Sequence, residues 1–458
     1  MHKFIEFLLH QRVLVLALTG ILIIAGAIAW TRLPIDAFPD VTNVQVMILT
    51  EAPGLSSVDV EQQVTYPIEQ QMGGVPKVNQ VRSLSKAGLS QVIVVFEDNT
   101  NIYFARQQVF ERLQTAKESL PSFAEPELGP TSTGLGEIFQ YTLESATLSP
   151  LELRTIQNFI VTPQLKPIPG VNEVNSFGGF VKQYQVLVRP DALLKYDLTL
   201  RDVVAAVEKN NANAAGGFIV RGWEQTYIRG LGLLTSTEDI DSIVLKAQNG
   251  SPVYVRDVAD VVIGPQPRQG AVTRDGKGEA VAGMVIMLRD ENSRDVVSRV
   301  KEAIPKIQKS LPQGSRINVF YDRTFLIEAC IKTVVDALLE GGIFVILVLF
   351  LFLAELRTAL IVVVSLPLTY LLTFPIMGGI GLTSNLMSLG GLAFSVGMVV
   401  DASIVITENI RRHFAEHRNP ALRRQVTIQS VSEVAGPVTF SIMIIMVVLV
   451  PLFTLQGI

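Results

Sequence analysis

The stretch VVDASIVITEN, residues 399–409, sets Asp401 and Glu408 in an apolar segment that begins near Leu386 and ends at Arg411 and Arg412. The two carboxylates are seven residues apart, close to two helical turns, so a helix places both on one face, about 10 Å apart along its axis. A charge at membrane depth costs about 2.5–3.5 kcal/mol on insertion scales and persists mainly where it faces a bundle interior, an ion path or a proton relay. A carboxylate whose surroundings alternate between wet and dry changes its proton affinity and can load and release a proton. Asp401 is thus the candidate proton carrier, and Glu408, nearer the Arg-rich end, can hand protons in or out. The plain alternative is that Glu408 reaches to the interface and Asp401 caps a polar cavity.

The whole chain has the composition that such a segment requires. It has 458 residues, 48% of them hydrophobic and only 17% charged, against about 25% charged in soluble domains; its mean hydropathy is +0.38. A membrane protein is the default. The net charge of −4 and the lack of a basic tract interleaved with aromatics argue against nucleic acid as a partner. Cys330 is the single cysteine and can form neither an intramolecular disulfide nor a zinc cluster. The four histidines, His2, His10, His413 and His417, lie at the ends of soluble stretches, so the long central region has no His or Cys metal site. No phosphate-cradling G-x-x-x-x-G-K-[ST], G-x-S-x-G elbow or H-E-x-x-H occurs, and RGLGLL around Gly230 is a fragment of a dinucleotide fingerprint. An enzyme is not indicated. Without a nucleotide site, the energy source that fits acids in a membrane helix is an ion gradient, most simply of protons.

Working outward, Val13–Trp30 is an apolar run behind Lys3 and Arg12, long enough to span a bilayer. Ala27-Ile28-Ala29 mimics a signal-peptide cleavage site, but signal cores are shorter, about 7–15 residues, so an uncleaved first span is expected. Four more apolar segments follow, near 337–353, 358–377, 386–406 and 437–455. Arg411, Arg412, Arg418, Arg423 and Arg424 cluster between the fourth and fifth, Arg357 lies between the second and third, and GGIGLTSNL between the third and fourth is uncharged. The positive-inside rule places the N-terminus and the Arg-rich loop in the cytoplasm, and the polar region after the first span on the far side. At the outer end of the second span, Asp336 and Glu340 read as solvated interface acids.

The polar region follows a repeated pattern. NVQVMILTE (Asn43 to Glu51) reads as a strand, Ser56 with Asp59 caps a helix through about Met72, strands VNQVRSLS and LSQVIVVFE pair around Gly88, and Asp98-Asn99-Thr100 opens a helix to about Leu120. This is a split β-α-β unit. A similar order recurs with EIFQYTLES, a helix from about Pro150 to Leu165, strands VNEVNSF and QYQVLVRP, and a helix capped by Thr199. The Gly-rich stretch from about Gly216 to Gly264 fits a small inserted β-rich domain, after which VAGMVIML, a helix from about Ser293 and RINVFY finish the second unit. Methionine is the only soft metal ligand at hand. Met387 stands fourteen residues before Asp401, near its helical face, and Met398 three before it; each also suits simple packing.

These residues resemble a known family. LPIDAFPDVTNVQV after the first span, EAPGLSSVDVEQQVTYPIEQQMGGVP, RSLSKAGLSQVIVVFED with IYFARQQVFERL, and NLMSLGG followed by VGMVVDASIVITENIRR are similar, over essentially the whole chain, to the heavy-metal-efflux (CusA/CzcA-like) branch of the RND permeases. The resemblance implies an α-helical membrane protein with a large periplasmic α+β region, built of split β-α-β (ferredoxin-like) porter subdomains plus a small docking subdomain. Residues 1–30 would be the N-terminus and first span, 31–130 the first porter subdomain, 131–180 with 268–333 the second, 181–267 the docking subdomain, and 334–458 spans two to five. It implies a proton antiporter of the inner membrane, a homotrimer linked by a periplasmic adaptor to an outer-membrane channel, with no cofactor. Asp401 falls at the family's essential fourth-span aspartate, and Glu408 at its EN glutamate. Ala402, where multidrug relatives carry a second aspartate, favours the metal branch.

The resemblance leaves the metal open. Ser395 stands where some divalent-metal members carry a further acid; Met387 matches a methionine of copper and silver members, whereas Val399 and Ile406 stand at others. The family is about twice as long, so the missing C-terminal half is expected to supply much of the substrate cleft, and the chain alone is expected not to transport. The other readings are a multidrug permease and a membrane-anchored receptor or protein-export accessory.

Overall fold

In Gln45–Glu51 (β1), Val46, Ile48 and Thr50 are buried while their neighbours are part-exposed, the period of two that a half-covered strand requires. The computed structural model describes residues 2–451 apart from 34–35, 37–40, 249, 269, 290, 354–355, 418 and 420–421. Val78–Lys86 (β2), Leu89–Phe96 (β3) and Glu125–Leu128 (β4) complete an antiparallel sheet in the order β2-β3-β1-β4. Gly88, at φ 76°, takes the left-handed conformation that closes the tight β2–β3 turn. Helical residues 57–72 and the helix Ile102–Lys117 cover one face, so Val60, Val64, Ile68, Val109 and Leu113 share a core with Val46, Ile48, Val92 and Val94.

Ser56 caps the first helix as expected, accepting from the Asp59 amide. The second opens later than Asp98-Asn99-Thr100: Asn101 is its cap, with Oδ1 accepting from the amides of Tyr103 and Phe104. Asn101 directly precedes the first buried helical side chain, Ile102, so its carboxamide reaches the free amides of the first turn.

The remaining strands are Glu137–Ser145 (β5), Val171–Phe177 (β6), Lys182–Val188 (β7), Ala214–Arg221 (β8), Glu224–Gly230 (β9), Val244–Gln248 (β10), Ser251–Tyr254 (β11), Ala259–Pro265 (β12), Val281–Met287 (β13) and Ser315–Asp322 (β14). The second large sheet has the order β14-β5-β13-β6. Counted within each unit, both sheets read fourth, first, third, second, with helices in the first and last connections: the split β-α-β order occurs twice. The two units also share a backbone feature. Residues Glu61–Thr65 and Gln157–Val161 form π-helical turns, followed within two residues by Pro67 and Pro163. Proline has no amide proton, and its ring would strike the carbonyl four residues back; a widened turn relieves both.

The chain between β6 and β13 holds a separate core of Leu198, Val203, Ile240, Val253, Val255 and Val258 beneath the β7–β12 pair. From it projects the β8–β9 hairpin, exposed at every residue, with Phe218, Val220, Trp223 and Tyr227 uncovered.

Helices run through all five apolar segments: Arg12–Arg32, Arg323–Leu353, Leu356–Gly379, Leu386–Glu416 and Arg423–Leu449. Among the described residues three are long and apolar enough to cross a membrane, Arg12–Thr31, Leu360–Gly379 and Arg423–Leu449. The first and third pack closely at Gly26, where a methyl group would strike the Leu371 carbonyl, and the Trp30 and Phe374 rings meet at 4.7 Å. Three expected boundaries change, the second membrane helix starting at Arg323, well before residue 337. The fourth helix continues to Glu416, and the fifth begins at Arg423, with Pro437 inside it. The reason is packing: Val426, Ile428, Ser430 and Ala435 are buried, so the helix extends well before the apolar run that marked the span. Residues 452–455 of the expected fifth span lie outside the described residues.

Strand β14 passes directly into the second membrane helix, and the joint is fixed by charge. Arg323, 4% exposed, pairs with Asp36 (Nη2–Oδ1 2.8 Å, Nε–Oδ1 3.0 Å) and donates from Nη1 to the Leu135 carbonyl. The Asp36 amide donates to the Ser384 carbonyl at 3.1 Å. One residue earlier, Asp322 binds Lys301 and accepts from the Thr324 amide at 2.9 Å, which caps the helix. Burial would raise the Asp322 carboxyl, but Lys301 and the Thr324 hydroxyl and amide outweigh it and hold it below the usual range.

Removing one member of a buried pair strands the other, at a cost of about 3–5 kcal/mol. Asp36→Ala is therefore expected to lower the thermal unfolding midpoint of the purified chain substantially, and an unchanged midpoint would contradict the role given to Arg323. A carboxyl held low contributes stability above its unfolded pKa of about 3.9, and loses it as pH falls through the folded value. Asp322→Asn is expected to flatten the decline in midpoint below about pH 4; parallel wild-type and variant profiles would exclude this.

Candidate functional site

The fourth membrane helix is started by a reciprocal cap: Asn385 Oδ1 accepts from the Ser388 amide at 3.0 Å, and Ser388 Oγ accepts from the Asn385 amide at 2.9 Å. This fixes the helix phase from the NLMS segment onward. Met387 falls in the first turn and is 66% exposed. It shares an approximate face with Asp401, as its spacing indicates, but stands about 21 Å away along the axis. Met387 and Asp401 therefore do not form one ligand set. Ser395 spends its hydroxyl on the Leu392 carbonyl at 2.8 Å. The Val399 side chain lies outside the described residues, and Ile406 is half-buried.

Asp401 and Glu408 lie on one helix and, at seven residues' spacing, within about 20° of one face. Both are exposed on the surface of this chain. The helix's neighbours occupy other faces. Ser403 approaches Ser365 of the third span at 3.4 Å, about 160° round the helix from Asp401. Asn409, about 80° round on the other side, donates to the Ser430 carbonyl of the fifth at 2.8 Å. The acid-bearing face lies between these contacts. Glu408 opens into a groove of about 570 Å³ lined by Val405, Asn409, Arg411, Arg412, Ala415 and Val434. Glu408 thus sits beside arginines, while Asp401 stands two turns deeper in the apolar part of the helix.

The structure adds an acid that sequence reading passed over. Glu433 of the fifth helix accepts from Asn409 at 3.3 Å, from Arg412 at 3.3 Å and from His413 Nε2 at 2.7 Å. It lies ahead of the apolar run that begins at Pro437. The available signal was the helical pattern of Val426, Ser430 and Glu433. Asp336 and Glu340 are exposed, as interface acids would be.

A first membrane helix, two extramembrane split β-α-β units and a helical bundle with sideways-facing acids together define a polytopic membrane protein with a large α+β part. The chain belongs to the AcrB/AcrD/AcrF family, which it matches over residues 4–458. It is 46% identical over 473 residues to Protein HelA of Legionella pneumophila, covering 100% of this chain and 45% of that protein. It is 45% identical over 472 residues to the cobalt-zinc-cadmium resistance protein CzcA of Cupriavidus metallidurans, covering 100% of this chain and 44% of that one. A crystal structure of a heavy metal efflux pump superposes with a TM-score of 0.89 at 35% identity, over 99% of this chain and 44% of that one. The chain thus spans less than half the length of the relatives it matches.

Asn409 is 8% exposed. Replacing it by alanine removes the side-chain hydrogen bonds to the Ser430 carbonyl and to Glu433, each worth about 0.5–1.5 kcal/mol. Asn409→Ala is expected to loosen the fourth helix from the fifth, seen as faster amide exchange at both helix ends; unaltered exchange would show that the contact is dispensable.

Proposed function

We propose that this chain is the N-terminal part of a proton-driven inner-membrane efflux permease of the RND superfamily that exports heavy-metal cations. The observation that carries the reading is the pair Asp401 and Glu408 on one open face of a membrane helix, in a chain of this family. Asp401 takes up and releases the proton, and Glu408, in its groove beside Arg411 and Arg412, connects it to the aqueous phase. Asp401 lies on a face turned away from the Ser403–Ser365 contact with the third helix, which suits an acid whose cationic partner comes from the part of the permease outside this chain. The protein is a secondary transporter, with the proton gradient in place of a cofactor.

The cargo is a borderline divalent cation of the zinc, cobalt and cadmium class. The name of the CzcA relative supports this, as does the isolation of Met387, which has no place in a shared ligand set with Asp401. Residues 31–130, and 131–180 with 268–333, are the porter subdomains, and 181–267 form the docking subdomain. Their repeated sheet order supports the division. The exposed apolar hairpin β8–β9 fits a neighbouring copy in a homotrimer, since Trp223 and Tyr227 would otherwise face water. A periplasmic adaptor and an outer-membrane channel complete the export path.

In a full-length permease carrying this sequence, Asp401→Asn is expected to abolish metal-dependent proton flux in proteoliposomes while metal binding persists; undiminished flux would refute the relay. Trp223→Asp is expected to reduce the trimer fraction in native mass spectra, and an unchanged distribution would remove the hairpin from the interface.

A further inference from the structure

The fourth membrane helix ends in HFAEH, residues 413–417, a segment the transport reading does not use. Spacings of three and four residues bring side chains together on a helix surface, so Glu416 and His417 both approach His413. The imidazole rings stack with centroids 6.3 Å apart and planes 14° from parallel. One ligand atom from each of His413, Glu416 and His417 lies within 4.8 Å of the others. Tetrahedral ligands at about 2.0–2.2 Å from a metal are about 3.4 Å from one another. Side-chain rotation of the exposed Glu416 and His417 can close that difference.

The outer shell of such a site is already built. His413 Nε2 meets Glu433 Oε2 at 2.7 Å, and His417 Nδ1 meets the His413 carbonyl oxygen at 3.2 Å. When these nitrogens carry the protons, the lone pairs lie on His413 Nδ1 and His417 Nε2. Metal-bound histidines characteristically donate their other N–H to a carboxylate or a backbone carbonyl, which fixes the tautomer and the ring orientation. The His413 side chain is only 12% exposed. Glu433 is held in turn by Asn409 and Arg412, and the Arg412 pairing offsets part of the positive charge beside the cluster.

We propose that His413, Glu416 and His417 form a binding site for a borderline divalent cation, Zn²⁺, Co²⁺ or Ni²⁺, at the Arg-rich end of the fourth membrane helix, with Glu433 of the fifth helix orienting His413. Two neutral imidazoles and a carboxylate suit these ions better than Cu(I) or Ag(I), which favour sulfur, or Mg²⁺ and Ca²⁺, which favour oxygen. Three protein ligands leave a fourth position for water. An occupied site clamps the end of the acid-bearing helix to the fifth helix through the His413–Glu433 contact. Its test reads binding rather than transport.

The purified full chain in lipid nanodiscs is titrated with Zn²⁺ against a chromophoric chelator, and with Co²⁺ followed by its visible absorption. One Zn²⁺ per chain is expected at micromolar affinity or tighter, with the intense Co²⁺ bands of a four-coordinate site. His417→Ala, at an exposed position, and His413→Ala are each expected to weaken binding at least about ten-fold, and Glu433→Gln about ten-fold through the outer shell. His10→Ala, on the N-terminal helix, is expected to leave binding unchanged. Equal Zn²⁺ affinity in the His413→Ala/His417→Ala double variant, with helical circular dichroism preserved, would overturn the proposal. So would the absence of micromolar binding in the unmodified chain.

Discussion

The buried guanidinium of Arg323 is the constraint on which the joining of the two halves of this molecule depends. Arginine cannot relieve its burial by losing its proton, so it can stay out of water only while Asp36 and the Leu135 carbonyl remain beside it. Those groups come from distant places: Asp36 follows the first membrane helix, Leu135 precedes the second sheet, and Arg323 opens the second membrane helix. The Asp36 amide extends the cluster to Ser384, ahead of the fourth helix. Because β14 enters the second membrane helix without a loop, a rotation of the second sheet against the bundle must either carry that helix with it or break the pair.

At the other end of the bundle the charges are distributed differently. Glu433 gathers Asn409, Arg412 and His413 and joins the fourth helix to the fifth, while Asp401 and Glu408 are exposed on an adjoining face, Glu408 at the edge of the groove that Val434 of the fifth helix also lines. A structural acid satisfied by three partners and a pair of acids on an open face follow different physical rules. The first supplies rigidity; the second can exchange protons with whatever surrounds it. Both are set by helix phase, fixed at Asn385 and carried through to Glu416.

The extramembrane units show how a repeat survives in structure after it has faded in sequence. The apolar alternation of β1 and the cap at Ser56 could be read directly. The matching π turns before Pro67 and Pro163 could not, since a proline in a helical pattern signals a break as readily as a widened turn. Each π turn also buries polar groups that find partners only in the fold: Thr65 with Ser85 and Ser90, and Gln157 with Tyr141 and Ser176.

Sequence by itself determined the positions of the apolar helical segments, the repeated strand and helix order, and the shared face of Asp401 and Glu408, because each follows from local periodicity and residue spacing. It also supported the family resemblance that the match over residues 4–458 then established. Tertiary structure decided what periodicity does not encode: that the fifth helix starts at Arg423, that Glu433 joins two helices, and that Arg323 finds Asp36 across 287 positions. These outcomes depend on which faces meet and which polar groups lose water, and neither is a property of any one segment.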